Sequence, residues 1–156
     1  MNYRADIDGL RAIAVLAVVI FHLEVVQFSG GYIGVDVFFV ISGYLITSII
    51  KAKYDEGRFS FADFYFRRIR RLIPPLIATV AATVIAAGFL LTPYDMMAFG
   101  RSAVAALFSL SNFVFYAEAG YWDSASELKP LLHTWSLGVE EQFYLFWPAL
   151  TVAMLA

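Results

Sequence analysis

The sequence predicts an all-α membrane protein, a multi-span helical bundle with about five spans in 156 residues. Three observations carry that expectation. Of the residues, 61% are hydrophobic and only 15% are charged, with a mean hydropathy of +0.72; a soluble domain is nearer about half apolar and a quarter charged. The apolar residues fall in runs close to the roughly 20 needed to cross a bilayer. The charge is segregated: of 11 Lys and Arg, the seven at Lys51, Lys53, Arg58, Arg67, Arg68, Arg70 and Arg71 lie in one short stretch. There are no cysteines, which excludes disulfides and thiolate metal sites. Zinc spacings, phosphate-cradling glycine loops and nucleophile elbows are also missing, so neither a metal nor a nucleic-acid partner is expected.

Each element follows from its own residues. Met1 to Gly9 is a polar lead-in whose Asp6 and Asp8 suit the positive end of a helix. It lacks a dense basic region and a small-residue cleavage site, so the first apolar run is expected to be retained as a membrane helix. Leu10 to Phe28 and Tyr32 to Ile50 are both 19 residues long. Only Ser29-Gly30-Gly31 separates them, which demands an antiparallel hairpin. Gly30 to Gly34 reads as a tight turn and a close helix contact. In Phe61 to Leu72 the apolar Phe61, Tyr65, Ile69 and Leu72 share one side, with Arg67, Arg70 and Arg71 on the other. That is the pattern of an amphipathic helix lying at the membrane surface. Pro74-Pro75 is expected to open a new helix, giving an uncharged third span over Ile73 to Leu91.

Thr92 to Asp95 is a turn, and a fourth helix is predicted from Met96 to Tyr116. Its Ser109, Ser111 and Asn112 point to packing against other helices rather than lipid. Glu118 to Thr134 reads as a loop, and Trp135 to Ala156 as a fifth span ending on an apolar residue. The chain is therefore expected to be the N-terminal part of a larger bundle, with further C-terminal helices as partners. Basic residues accumulate in short cytoplasmic loops. The basic stretch is thus placed inside, the N-terminus inside, and the turn at Gly30 outside. Alternation then puts Glu118 to Thr134 inside, although its three acids and one lysine give that no support.

Ionisable groups inside apolar spans are costly and mark candidate sites. Arg11 and His22 are eleven apart, about 16.5 Å along a helix and within about 20° of one face. Arg11, Val15, Val18 and His22 therefore form a stripe. A neutral imidazole can take a proton from a hydroxyl; the plainer alternative for His22 is an interhelical hydrogen bond. Asp36 lies about six residues past the hairpin turn and His22 about eight before it, so helical rise puts them at nearly one depth. They are expected to meet in one interhelical space, with Asp36 orienting the imidazole as a carboxylate does in a catalytic triad. Should that pairing fail, Glu140 or Ser136 is the next candidate orienter. Glu24 is turned about 200° from His22 and is read as an interface residue. Arg67, Arg68, Arg70 and Arg71 offer guanidinium forks for phosphate, or an anchor to anionic headgroups. Ser136, Glu140 and Glu141 form a second polar cluster where the last helix begins, inside a bundle or at an interface belt of Trp and Tyr.

Four stretches carry a resemblance. Asp8-Gly9-Leu10-Arg11-Ala12-Ile13-Ala14-Val15 with His22, and Gly31 through Leu45, resemble the first two helices of the acyltransferase-3 family of integral membrane O-acyltransferases. Phe64 to Pro74 resembles its arginine-rich loop, and His133 to Pro148 its Trp-Ser-Leu-x-x-Glu-Glu-Gln-Phe-Tyr block. The resemblance implies a helical bundle of roughly twice as many spans, embedded among lipid in the inner (plasma) membrane. It implies that an acyl group, commonly acetyl, passes from cytoplasmic acyl-CoA to a hydroxyl of a surface or exported glycan. Arg11 and His22 are then essential, and the arginine loop helps to hold the CoA. His22 serves as base toward the acceptor hydroxyl or carries the acyl group transiently; both routes stay open. The contrasting reading is non-enzymatic, a glycan or lipid translocator or a membrane scaffold on the same fold, in which His22 would tolerate Asn or Gln.

Overall fold

The computed structural model describes residues 4–23, 30–119 and 129–156. Glu24, Ser29 and most of the Glu118–Thr134 stretch lie outside these. Among the described residues the chain is helical and has no strand: α1 Ala5–His22, α2 Ile33–Asp55, α3 Phe61–Leu90, α4 Pro93–Leu107, α5 Ser111–Glu118 and α6 Thr134–Leu155. Of these, α2 and α3 are long and apolar enough to cross a membrane. The chain divides into two compact units, one of Met1–Phe59 with Trp147–Ala156 and one of Ser60–Phe146.

The first unit is built on the predicted hairpin, and two glycines set its closeness. A Cβ on Gly31 would fall 2.2 Å from Ala17 O, and one on Gly34 2.4 Å from Ala14 O. No side chain fits there, so the two backbones touch. α2 then ends on Gly57, whose φ of +65° lets Arg58 N–H reach back to Lys53 O at 2.9 Å, a Schellman closure. Thr47 Oγ1 accepts from Trp147 Nε1 at 2.8 Å, which fastens the end of α6 to α2. At the N-terminus, Arg4 bonds to Asp6 and holds that exposed carboxyl down at about 2.

In the second unit α3 differs from expectation. It is one helix of 30 residues with Pro74 and Pro75 inside it, not a surface helix followed by a separate span. The prolines remove the amide donors that would have served the carbonyls of Arg70 and Arg71, but the ladder on either side carries the helix across. Its length of about 45 Å equals a bilayer with both headgroup layers. The start is fixed by Ser60, whose Oγ accepts from Asp63 N–H. Leu76, Val80 and Ala87 of α3 pack with Phe99 and Ala103 of α4 and with Leu131, which is fully buried.

The predicted fourth helix also differs, because it is broken in two. α4 starts on the Thr92 cap with Pro93 at its first position. It stops where Ser109 takes a φ of +56° and Leu110 N–H returns to Ala105 O at 2.8 Å. This is again a Schellman closure, with serine where glycine is usual. Helix propensity does not foresee the break, since Ser and Phe are both acceptable in a helix interior.

Candidate functional site

In the first unit α1 is a single helix through both Arg11 and His22, so the predicted stripe exists. It does not face α2. The residues that meet the two glycines are Ala14, Ala17, Val18 and Phe21, and Arg11 and His22 are turned about 70–90° from the centre of that seam. The stripe runs along the flank of the hairpin, with His22 exposed and Arg11 half-buried. Arg11 Nη1 pairs with Asp8 at 3.6 Å, one turn toward the N-terminus.

His22 Nδ1 sits 2.8 Å from Val18 O. A carbonyl can only accept, so the hydrogen lies on Nδ1 and a neutral ring carries its lone pair on Nε2. The helix itself thus sets the tautomer.

The expected partnership of His22 with Asp36 is not formed. Among the described residues no hydrogen bond or ion pair links them, and Asp36 is exposed. The reasons are depth and facing. Gly31 packs against Ala17 and Phe21, and Gly34 against Ala14 and Val18. Asp36 therefore stands level with about Ala14, about 12 Å of helical rise from His22, and about 200° around α2 from the seam. It stands in the first turn of α2, where a negative charge complements the helix dipole. The fallback orienters are engaged locally. Ser136 Oγ donates to His133 O at 3.1 Å, and Glu140 accepts from the Tyr144 hydroxyl.

Beside the imidazole stand two rings that the sequence reading did not single out. Phe21 meets His22 edge-on at 5.6 Å between centroids and Tyr32 at 5.8 Å. Phe21 and Tyr32 flank the hairpin turn in the sequence, but their mutual contact depends on Gly31, whose missing side chain admits Phe21 Cβ.

The second unit separates the four arginines. Arg68 turns toward α6: its Nη2 lies 3.1 Å from Glu141 Oε1, and its guanidinium stacks on the Tyr144 ring at 3.0 Å. Its side chain is only 20% exposed. Tyr65 adds a second tie by donating to Leu145 O at 2.8 Å. Arg67 is paired along its own helix with Asp63 at 2.8 Å, and its side chain is 72% exposed. Arg70 lies over Phe66 at 5.6 Å, and both it and Arg71 are exposed. Among the described residues Arg70 and Arg71 form no ion pair.

The broken helix explains the remaining polar groups. Gln142 Nε2 donates to Ser109 O at 2.8 Å and to Asn112 Oδ1 at 2.9 Å, and Asn112 Nδ2 returns a bond to Gln142 Oε1 at 3.2 Å. Ser111 Oγ donates to Thr134 O at 2.8 Å. Gly138 admits this approach, because its missing Cβ would lie 3.1 Å from Asn112 Oδ1. The expectation that Ser109, Ser111 and Asn112 pack between helices is met.

Comparison with known proteins gives a consistent picture. The model of an acyltransferase domain matches residues 4–155. The peptidoglycan O-acetyltransferase of Listeria monocytogenes is 42% identical over 156 residues, which is 99% of this chain and 25% of that protein. A Bacillus subtilis protein named "Putative peptidoglycan O-acetyltransferase" is 43% identical over 154 residues, 97% of this chain and 24% of its own length. A Staphylococcus aureus protein named "Putative O-acetyltransferase" is 43% identical over 157 residues, 99% of this chain and 26% of its own length. The chain thus spans about a quarter of the length of the curated relatives it matches. No solved structure matches it. The chain belongs to the acyltransferase-3 family.

Proposed function

We propose that this chain is the N-terminal part of a membrane O-acyltransferase that moves an acyl group, acetyl in the simplest case, from cytoplasmic acyl-CoA to a glycan hydroxyl outside. The observation that carries the reading is the His22 imidazole, fixed by Val18 O at Nδ1 and therefore basic at Nε2. Family membership and relatives named for O-acetylation support it. His22 Nε2 takes the proton of the acceptor hydroxyl as that oxygen attacks the thioester carbonyl. The C–S bond breaks, and the departing sulfur recovers the proton from the imidazolium, leaving an O-acyl glycan and free CoA.

Arg11 lies about 16.5 Å from His22 along α1, a span comparable to an extended pantetheine arm. It is assigned to the inner end of the route, with the donor's phosphates at the cytoplasmic side. Of the loop arginines, Arg70 and Arg71 suit phosphate because among the described residues they have no carboxylate partner. Arg67 can join them by releasing the half-buried Asp63. Arg68 is assigned instead to bracing α3 on α6. Asp36 is assigned to helix stabilisation, not to catalysis. This reading keeps five spans, a multi-pass place in the inner membrane and a cytoplasmic N-terminus.

The test uses the full-length protein in sealed vesicles, with radiolabelled acetyl-CoA inside and a glycan acceptor outside. Label on the acceptor with matching release of CoA supports the transferase. Movement of glycan or lipid without CoA release points to a translocator on the same fold.

A further inference from the structure

We propose that Phe21 and Tyr32 form a sugar-stacking subsite that presents the acceptor hydroxyl to His22. The proposal rests on the transferase reading of His22 and names where its carbohydrate would bind. Three rings lie in a row. Phe21 touches the imidazole on one side at 5.6 Å and the Tyr32 phenol on the other at 5.8 Å, each with near-perpendicular planes. The aromatic members stay open, with Phe21 36% and Tyr32 57% exposed. Leu23 and Ile33, 69% and 52% exposed, extend the same end of the hairpin as apolar surface.

A pyranose ring carries C–H groups on its faces and hydroxyls around its rim. The C–H faces match the negative face of an aromatic ring, and the phenol hydroxyl of Tyr32 can bond to the rim. Sites for small ligands combine apolar and aromatic walls with a few polar groups that fix orientation, and the row supplies both beside the basic nitrogen. Membrane-interface tyrosines commonly serve only as anchors. Here Phe21 contacts both Tyr32 and the imidazole, and Gly31 is cleared of a side chain that would displace Phe21 by meeting its Cβ at 2.7 Å.

The probe is a soluble N-acetylglucosamine tetrasaccharide, titrated by saturation-transfer NMR against the full-length protein in nanodiscs. Tyr32→Leu and, separately, Phe21→Leu should each weaken binding about tenfold, the loss of one stacking contact and, for Tyr32, of its hydrogen bond as well. Tyr32→Phe should stay within about threefold, since the ring remains. His22→Gln should lose acetyl transfer in a protein that still inserts. Undiminished binding by Tyr32→Leu, or no binding by the parent, overturns the subsite. So does a Tyr32→Leu protein that inserts poorly yet binds normally once inserted, which would make Tyr32 an anchor. Binding that follows this pattern in a protein that never transfers acetyl keeps the subsite and rejects the transferase reading.

Discussion

The hairpin of the first unit and the α3–α6 contacts of the second treat polar residues in opposite ways. On the hairpin, among the described residues, His22 bonds to its own helix, Asp36 faces away from α1, and Arg11 reaches one turn back to Asp8. In the second unit Arg68, Glu141 and Tyr144 satisfy one another, as do Ser109, Asn112 and Gln142. Groups with partners from other helices hold helices together. We propose that His22 and Arg11, which lack such partners among the described residues, serve substrate instead. Arginine occurs in both regions, Arg11 paired along its own helix and Arg68 across to α6, so the partner decides the role.

The largest effect is expected at His22. His22→Gln keeps size and polarity but supplies no base, and acyl transfer should fall on the order of 10²–10⁴-fold with insertion unchanged. Rates near the parent's would move His22 into the structural class and favour the translocator.

Next comes Arg68. Its replacement by Ala leaves Glu141 half-enclosed and unpaired, so stability should drop by about 2–3 kcal/mol, somewhat below the value for a fully buried pair. Denaturation in detergent reads this directly. Retention of full stability with loss of acyl-CoA affinity would place Arg68 among the ligand-binding arginines and break the contrast.

Gly34→Ala tests the seam that turns Asp36 aside. The new methyl meets backbone at Ala14 O, which cannot yield as a side-chain tip does, and about 1–3 kcal/mol of destabilisation follows. Asp36→Asn, by comparison, should leave transfer within about threefold, since the dipole interaction it weakens is under about 1 kcal/mol. A hundredfold loss in that variant would restore Asp36 to the site.

Arg70→Gln with Arg71→Gln should weaken acyl-CoA binding by about 1.5–3 kcal/mol while insertion stays intact. Unchanged affinity with failed insertion would make these two an anchor to anionic headgroups.

Much of this was legible in the sequence. The hairpin, the Arg11–His22 stripe and the close glycine contact follow from run length, helical period and the absence of side chains at Gly31 and Gly34. What could not be read was facing. Register was missed too: depth counted from a turn at Gly30 fails because Gly31 already packs against Ala17 and Phe21. Which side of α2 meets α1 is fixed by shape, so the glycine seam put Asp36 both deeper than His22 and on the other side. The helix break at Ser109 was hidden because its left-handed turn is stabilised from outside, by Gln142. The continuity of α3 through Pro74-Pro75 was hidden for a related reason: losing two backbone bonds signals a boundary locally, and packing of Leu76 and Val80 overrides it. The arginines looked equivalent in sequence, and the position of Glu141 on another helix distinguished them.

The most direct test of the account is the protonation state of His22, read by ¹⁵N NMR on full-length protein labelled at histidine, at neutral pH. The structure places a hydrogen on Nδ1, donated to Val18 O, and the assignment of His22 as base requires a bare Nε2. A proton on Nε2, or a ring charged at both nitrogens, would leave no base facing the acceptor and would contradict the assignment of His22.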